Sequence, residues 1–224
     1  MTSKTLFITG ASSGIGAATA HAASRAGWNV ALFARSEDKL SALARDLGAG
    51  ALPLAGDVAN LDDLEGAVRN AAAKFGSIDA AFANAGTGLD TPGTVEGDPE
   101  EWRRLVDVNV MGVLHTARAT LPELKKTRGT LVMTGSAAGR THISGSIYGA
   151  TKWFVHGYAG NMAEEMREWG GRCAVVAPGM VDTPFFDEAK PDKLHPEDVA
   201  DAVMHAIDAP ERAAIREIFL MPQG

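Results

Sequence analysis

Short, continuously apolar runs alternate along the chain with longer segments that have the apolar spacing of helices. Runs such as TLFI, LVM and AVV are typical of strands covered by helices on both faces. Regular alternation of such strands with helices predicts an α/β fold with a doubly wound parallel sheet. The predicted strands cover residues 5–9, 29–34, 51–56, 78–86, 129–135, 172–179 and 216–222, and the predicted helices cover residues 14–26, 36–47, 61–74, 99–126, 146–169 and a last segment after the polar stretch FFDEAKPDKLHPEDVA.

The stretch GDPEEW predicts where the fourth helix begins. Asp98 can cap the helix, Pro99 suits its first turn, and Glu101 stands three residues after the cap, as in a capping box. No long linker, repeat or low-complexity tract interrupts the alternation of strands and helices. The sequence therefore predicts a single domain over residues 1–224.

The composition argues against some classes of binding partner and indicates the cellular compartment. A net charge of −7 and a pI near 5.4 argue against nucleic acid or an anionic membrane surface as the main partner. The single cysteine, Cys173, cannot form an internal disulfide, which fits a reducing compartment, and its apolar surroundings predict burial. The strand-like run from residue 5 leaves no room for a signal peptide, and no apolar run reaches the roughly 20 residues of a membrane span. We expect a cytoplasmic protein with no membrane partner.

The stretch TGASSGIG, residues 9–16, follows the first strand directly. In a doubly wound fold this turn faces the ligand crevice, and Gly10, Gly14 and Gly16 would let the backbone approach a pyrophosphate at a helix N-terminus. The spacing differs from the common G-x-G-x-x-G fingerprint, and no Lys-Ser/Thr pair follows Gly16, which argues against a phosphate-loop kinase. A glycine-rich turn without a ligand is the alternative for this stretch alone.

Further motifs follow in an order that resembles the classical short-chain dehydrogenase/reductase family. They are TGASSGIG, GDV (56–58), NAG (84–86), VNVMG (108–112), GSAAG (135–139), YGATK (148–152) and PGMVDT (178–183). The resemblance covers almost the whole chain and implies a Rossmann-type oxidoreductase. It implies the catalytic residues Asn109, Ser136, Tyr148 and Lys152. It implies cofactor contacts from Gly10, Ser12, Ser13, Gly14, Ile15, Gly16, Arg35, Asp57, Val58, Asn84, Ala85, Gly86, Tyr148, Lys152, Pro178, Gly179, Val181 and Thr183, the last near the nicotinamide amide.

Tyr148 and Lys152 are four residues apart and share a helix face. A nearby ammonium and an oxidised nicotinamide both stabilise a phenolate, so we expect them to lower the pKa of Tyr148. Tyr148 would then exchange a proton with a carbonyl or alcohol oxygen, while Ser136, at a strand end, holds the same oxygen. The resemblance gives Lys152 the nicotinamide ribose and Asn109 a water-mediated relay next to Lys152.

Several of these residues also have ordinary structural interpretations. A Tyr-x-x-x-Lys pair can be a solvated helix pair, and Asn84 and Asn109 can satisfy backbone groups. Asp57 is either a turn residue or an adenine contact.

The histidines and the carboxylates suggest no further chemistry. His156 follows Lys152 by one turn and is expected to pack or to lie on the helix surface, and His142 is either a loop residue or part of the substrate-pocket rim. No cluster of His, Cys or carboxylates has convincing metal spacing, so we expect no metal.

The end of the second strand predicts NADPH over NADH. NAD-selective relatives would place an Asp where this chain has Ala34, and Arg35 follows, whose guanidinium can hold a 2′-phosphate. Ser13 stands where many NADP-preferring relatives carry a basic residue, and a surface arginine in a turn is the alternative interpretation.

The two long predicted helices, 99–126 and 146–169, indicate a homo-oligomer, either a tetramer or a dimer. One sheet can cover only one side of each helix, and the resemblance pairs the two helices across a two-fold axis. Their apolar residues include Trp102, Val106, Val110, Val113, Trp153, Phe154 and Met162.

The sequence thus predicts an NADP(H)-dependent oxidoreductase that acts on a small-molecule carbonyl or alcohol. A small hydroxy acid or ketone, an acyl-chain ketone, a sugar or a steroid-like ketone would all fit. The segment between Pro178 and Pro196 is shorter than in many relatives, and Ser136 and Tyr148 are about one residue closer than expected. A cofactor-binding sensor or scaffold without turnover is the alternative, but such a protein would not need a proton donor.

Overall fold

Seven parallel strands form one sheet in the computed structural model, which describes residues 3–91, 93–186 and 188–223. The strands are β1 (Thr5–Thr9), β2 (Asn29–Ala34), β3 (Ala51–Ala55), β4 (Ala80–Ala83), β5 (Thr130–Thr134), β6 (Arg172–Pro178) and β7 (Glu217–Leu220). Their order across the sheet is β3-β2-β1-β4-β5-β6-β7. The chain order reverses between β1 and β4, so the carboxyl ends of these two strands flank a crevice suited to a ligand.

Helices cover both faces of the sheet. They are α1 (Gly14–Arg25), α2 (Glu37–Leu47), α3 (Leu61–Phe75), α4 (Pro99–Val106), α5 (Gly112–Thr127), α6 (Ile147–Arg167) and α7 (Pro196–Ile207). Buried side chains of α1, α2 and α7 form one apolar core with the sheet, and those of α3, α5 and α6 form the other. This arrangement confirms the predicted Rossmann-type, doubly wound α/β domain.

Strand β1 explains why the strands are continuously apolar. Leu6 and Ile8 point into the first core and Phe7 into the second, and all three side chains are fully buried. Both faces of the strand therefore need apolar residues. Cys173 is buried as expected, and burial raises the pKa of its thiol to about 12.

The predicted helix over 99–126 is interrupted. Asp98 caps α4 by accepting a hydrogen bond from the amide of Glu100 at 2.9 Å, as expected, but a π-helical turn over Asp107–Met111 separates α4 from α5. The capping box is not formed as expected, because the carboxylate of Glu101 accepts from the amide of Thr91 at 3.2 Å. Glu101 therefore fastens the loop after β4 to α4.

Strand β4 is also shorter than the predicted 78–86. The chain leaves the sheet after Ala83. The next residue, Asn84, bonds through its side chain to the neighbouring strands at the edge of the crevice. Among the described residues, no helix has the length and apolar character to span a membrane.

Candidate active site

The glycine-rich loop between β1 and α1 is packed too tightly to hold side chains. Gly10 and Gly14 have φ values of +66° and +51°, in the left-handed region that favours glycine. A Cβ at Gly16 would lie 2.2 Å from the carbonyl oxygen of Gly10, and a Cβ at Gly10 would lie 2.9 Å from the Cα of Ala85. The loop is therefore folded against itself and against the end of β4.

Helix α1 begins at this loop without a side-chain cap. Ser13 is the exposed N-cap residue, and its side chain makes no capping hydrogen bond. The amides of the first turn are therefore not capped by Ser13, and a helix N-terminus of this kind suits an anion. Ser12 is half-buried beside Ser13, and Ile15 packs against the first core. Bare backbone and an uncapped helix start fit the pyrophosphate of a dinucleotide.

The segment after β6 packs against the glycine-rich loop. Pro178 ends β6, and the amide of Gly179 donates to the carbonyl of Leu220 at 2.7 Å. Val181 is buried, and a Cβ at Gly14 would lie 3.2 Å from the Cγ2 of Thr183. The fold thus brings the two predicted cofactor segments together.

Asn84 joins three strands at the crevice. Its Nδ2 donates to the carbonyl of Thr9 at 3.1 Å, and its Oδ1 accepts from the hydroxyl of Thr134 at 3.1 Å. The hydroxyl of Thr9 in turn accepts from the amides of Asn84 and Ala85 at 3.0 and 3.2 Å. The side chain of Asn84 therefore has a structural role, which places Ala85 and Gly86 beside the glycine loop.

Three residues are expected near the adenine end of the cofactor, and each of them has different surroundings. Asp57 acts as a turn residue, because its Oδ1 accepts from the amide of Ala59 at 3.0 Å. Val58 is buried next to α5. Arg35 is exposed at the end of β2, and no hydrogen bond or ion pair with its side chain is found within residues 3–91, 93–186 and 188–223. A guanidinium without a protein partner is available to an anionic ligand.

Tyr148 and Lys152 lie in the first turns of α6, which Ser146 caps by accepting from the amide of Gly149 at 2.9 Å. The Nζ of Lys152 lies 5.7 Å from the centre of the Tyr148 ring and donates to the carbonyl of Thr134 at 2.8 Å. Lys152 is only 6% exposed, and this burial lowers the pKa of its ammonium to about 8. The expected common face of the two side chains is present.

The pKa of Tyr148 differs from our expectation. Burial raises it, and this effect outweighs the lowering by a hydrogen bond with the Ser136 side chain. The ammonium of Lys152 is directed at the carbonyl of Thr134 instead of the phenolic oxygen. The phenol is therefore protonated near neutral pH, which is the form that donates a proton to a carbonyl oxygen.

Ser136 is held at the start of a short 3₁₀ turn, Ala137–Gly139, after β5. Its Oγ accepts from the amide of Ala138 at 3.1 Å, which fixes the position of the Ser136 side chain. Burial raises the pKa of Tyr148 and the side chain of Ser136 lowers it, so these two predicted catalytic residues from different segments lie near each other.

Asn109 lies in the π-helical turn and is 1% exposed. Its Oδ1 accepts from the amide of Thr87 at 2.8 Å, and its Nδ2 donates to the hydroxyl of Thr151 at 3.2 Å. A Cβ at Gly86 would lie 3.5 Å from this Oδ1 and 3.9 Å from the Nζ of Lys152. Asn109 and Lys152 therefore approach the same point beside Gly86, and a π-helical turn at such a position is typical of functional sites.

Sequence reasoning gave no functional role to two neighbours of this site, although it expected His156 to pack or to lie on the helix surface. The Nε2 of His156 lies 3.2 Å from the carbonyl oxygen of Ser136, and the ring of Phe185 lies 5.7 Å from that of Tyr148. The position of His156 one turn after Lys152 was a signal for the first, whereas Phe185 lies in a loop without periodicity. His142 stacks on Trp153, with ring centres 5.3 Å apart.

The loop that carries Phe185 is closed at its base. Val181 and Leu194 form an isolated parallel bridge. The amide of Leu194 donates to the carbonyl of Met180 at 3.2 Å, and the amide of Asp182 donates to the carbonyl of Leu194 at 2.7 Å. This base anchors the segment in which Phe185 lies beside Tyr148. As for metals, residues 3–91, 93–186 and 188–223 contain no group of three or more His, Cys, Asp or Glu side chains that could hold an ion.

Comparison with known proteins identifies the family. Residues 4–194 match the short chain dehydrogenase family, and the chain belongs to it. An uncharacterized oxidoreductase of Staphylococcus epidermidis is 35% identical over 229 residues, which cover 98% of this chain and 97% of that protein.

Solved structures agree with this assignment. The alcohol dehydrogenase of the archaeon Thermococcus sibiricus, in complex with 5-hydroxy-NADP, superimposes with a TM-score of 0.91 at 31% identity, over 98% of this chain and 97% of that one. The 3-ketoacyl-(acyl-carrier-protein) reductase of Brucella melitensis, in complex with NADH, gives a TM-score of 0.88 at 27% identity, over 96% of each chain. The protein is therefore a short-chain dehydrogenase/reductase, an oxidoreductase that uses a nicotinamide cofactor.

Proposed function

We propose that the protein transfers hydride between NADP(H) and a carbonyl or alcohol, with Tyr148 as the general acid and base. One observation carries the proposal: the buried ammonium of Lys152 lies 5.7 Å from the centre of the Tyr148 ring, and the side chain of Ser136 is close enough to offset part of the rise that burial causes in the pKa of that phenol. These side chains lie next to a crevice whose glycine loop has the shape for a dinucleotide. A proton donor and a second hydrogen-bond donor at one point suit a carbonyl oxygen that becomes negative.

Different segments of the chain would bind different parts of the cofactor. The glycine loop and the start of α1 would hold the pyrophosphate, Lys152 the nicotinamide ribose and Thr183 the nicotinamide amide. Bound in this way, the nicotinamide supplies or accepts the hydride. The residues that would line the bound cofactor are Gly10, Ser12, Ser13, Gly14, Ile15, Gly16, Arg35, Asp57, Val58, Asn84, Ala85, Gly86, Pro178, Gly179 and Val181. Of these, Asp57 and Asn84 would contribute mainly by shaping the backbone, since their side chains bond within the protein.

Protein side chains handle the proton. In reduction, Tyr148 donates its phenolic proton to the substrate oxygen, while the hydroxyl of Ser136 donates a hydrogen bond to the same oxygen. In oxidation, the Tyr148 phenolate takes the proton of the alcohol. Lys152 supports the phenolate, since its pKa near 8 keeps the ammonium mostly charged at pH 7. Asn109, fixed by Thr87 and Thr151, would hold a water next to Lys152 for reprotonation.

Substitution of the chain's two tyrosines tests this mechanism. A panel of ketones, aldehydes and alcohols is assayed by nicotinamide absorbance, and the best substrate is used for the variants. Tyr148→Phe should lose about 10²- to 10⁴-fold in kcat, because it removes the proton donor and keeps the ring. Tyr158→Phe, which alters a tyrosine stacked on Phe154 in the same helix, should keep turnover. More than a tenth of wild-type kcat in Tyr148→Phe would contradict the mechanism, and a sensor without turnover would show none in either variant.

The preference for NADPH rests on Arg35. Its exposed guanidinium at the end of β2 can form charge-assisted hydrogen bonds with the 2′-phosphate. Arg35→Ala should raise the KM for NADPH by about 10- to 100-fold, the equivalent of one or two such bonds, and should leave the KM for NADH nearly unchanged. Arg45→Ala, which removes an exposed arginine of α2, is the matched control. Equal effects of Arg35→Ala on both cofactors would contradict the preference.

A homo-oligomer remains part of the proposal. Among the apolar residues singled out in α4, α5 and α6, Val113 and Met162 are buried within the subunit, whereas Val106 and Trp153 are 40% and 44% exposed. Exposed apolar side chains on these helices support contact between copies of the chain. Light scattering at micromolar concentration should show a tetramer or a dimer, and a monomer would contradict this proposal.

A further inference from the structure

The turn that carries Ser136 is packed directly on the imidazole of His156. A Cβ at Gly135 would lie 2.7 Å from the Nε2 of His156, and a Cβ at Gly139 would lie 2.7 Å from its Cδ2. Both glycines flank Ser136 closely in sequence. The absence of side chains at these two positions therefore lets the ring fit beneath the catalytic turn.

The ring bonds to the turn on one side and to β7 on the other. Its Nε2 lies 3.2 Å from the carbonyl oxygen and 3.5 Å from the amide of Ser136. Its Nδ1 lies 3.4 Å from a carboxylate oxygen of Glu217. Glu217 is itself fixed, because the Nε of Arg140 donates to it at 2.6 Å and a second guanidinium nitrogen pairs with its other oxygen.

The surroundings keep the ring uncharged near neutral pH. Burial lowers the pKa of His156, the hydrogen bond to the backbone of Ser136 raises it, and the nearby charges of Arg140 and Lys152 lower it. A neutral ring that donates from Nδ1 to Glu217 presents Nε2 as an acceptor to the amide of Ser136. The other tautomer donates from Nε2 to the carbonyl of Ser136. The ring therefore meets the peptide of Ser136 in both tautomers.

We propose that His156, oriented by Glu217, is a positioning residue that fixes the peptide of Ser136 and thereby the position of the Ser136 hydroxyl in the proposed site. The inference rests on the proposed function, since it assigns a purpose to the placement of Ser136. His156 acts through Ser136. Its loss should therefore weaken the hydrogen bond to the substrate oxygen without weakening the binding of the cofactor.

Two substitutions at this position separate hydrogen bonding from packing. His156→Leu fills a similar volume but forms no hydrogen bond, and it should lower kcat about 5- to 10-fold, the loss expected for one hydrogen bond. The affinity for NADPH, measured by fluorescence titration, should stay within about twofold of wild type, within the uncertainty of one weak contact. His156→Gln carries an amide that can donate to the carbonyl of Ser136, and it should recover most of the lost kcat.

A double-mutant cycle with Ser136→Ala gives the decisive readout. Because His156 acts only through Ser136, His156→Leu should change kcat less than about twofold when Ser136 is already alanine. Independent, multiplicative losses would mean that His156 merely supports the fold of α6, and would overturn the inference alone. Full turnover in Ser136→Ala by itself would instead remove Ser136 from the proposed mechanism, and the inference with it.

A matched control tests whether any histidine–carboxylate pair has this effect. His21 lies 3.7 Å from Asp46, far along the chain from Ser136 and outside the proposed site. His21→Asn should leave kcat and the affinity for NADPH unchanged. Thermal unfolding of every variant establishes that each is folded at the assay temperature. Equal losses in His21→Asn and His156→Leu would overturn the inference.

Discussion

The two walls of the crevice are built by different means. On the cofactor side, the loop over residues 10–16 is shaped by backbone packed against backbone, with no room for a Cβ at Gly16. On the proposed substrate side, the ring of Phe185 lies 5.7 Å from that of Tyr148 and is 46% exposed. A wall made of backbone tolerates little change, whereas a wall made of exposed side chains can change with each substitution.

The largest expected effect belongs to the cofactor wall. The Cβ of Gly16→Ala would lie 2.2 Å from the carbonyl oxygen of Gly10 and 2.9 Å from the Nδ2 of Asn84, so the loop must open. We expect the affinity for NADPH to fall at least about 100-fold, as for the loss of several backbone hydrogen bonds to the pyrophosphate. Titration of cofactor fluorescence measures this loss.

Another helical glycine provides the control for Gly16. A Cβ at Gly66, in α3, would meet only the Nη2 of Arg69, at 3.8 Å. Gly66→Ala should bind NADPH normally and be about 0.5–1 kcal/mol more stable, the usual gain for alanine within a helix. Normal binding by Gly16→Ala would show that the cofactor wall is as tolerant as the substrate wall.

Lys152 lies where the two walls meet, and its charge opposes folding. Burial lowers its pKa from 10.5 to about 8, which corresponds to about 3 kcal/mol of destabilisation at pH 7. Lys152→Met removes this penalty but leaves the carbonyl of Thr134 without its donor, which costs about 1–3 kcal/mol. We expect the cofactor-free variant to be inactive and up to about 2 kcal/mol more stable than wild type, as measured by urea unfolding.

The difference in stability between Lys152→Met and the wild type should change with pH in a defined direction. Between pH 8 and 10.5 the unfolded state holds the Lys152 proton and the folded state does not, so the wild type gains stability as pH rises. The advantage of Lys152→Met should therefore be greatest below pH 8 and shrink toward pH 10.5. A variant less stable than wild type by more than about 1 kcal/mol, beyond the penalty assumed for one unsatisfied carbonyl, would show that the ammonium stabilises the fold.

The smallest expected effect belongs to the substrate wall. Phe185→Ala removes a half-exposed ring that contacts Tyr148, and aromatic contacts of this kind contribute about 0.5–1.5 kcal/mol. For an apolar ketone we expect kcat/KM to fall about 2- to 12-fold, mostly through KM, with unchanged affinity for NADPH. Phe219→Ala, in β7, removes an equally exposed ring and should have no effect. A change in NADPH affinity for Phe185→Ala would mean that the two walls are not separate.

Features of the site that depend on residues close together in the chain could be predicted from the sequence. The turn after the first strand and the common helix face of Tyr148 and Lys152 follow from local spacing, and the apolar runs identify the strands but not their order in the sheet. The π-helical turn around Asn109 escaped notice, because it changes hydrogen bonding along a helix and leaves the apolar spacing intact.

Contacts between distant segments could not be predicted in the same way. Glu101 has the sequence position of a capping-box residue, but the amide of Thr91 binds its carboxylate. The contact of His156 with Ser136 depends on two glycines that leave space for a ring, and its partner Glu217 comes from the last strand. Likewise, the raised pKa of Tyr148 follows from burial, which only the assembled site determines.

The bridge between Val181 and Leu194 has a consequence for engineering. Backbone hydrogen bonds at this base fix both ends of the intervening segment beside the sheet, whatever its length. The entropy of closing a loop grows only slowly with the number of residues, so a longer segment from a relative adds about 0.6 kcal/mol for each doubling. We therefore expect that exchange of this segment will alter the substrate selectivity proposed for the protein and leave the cofactor wall in place.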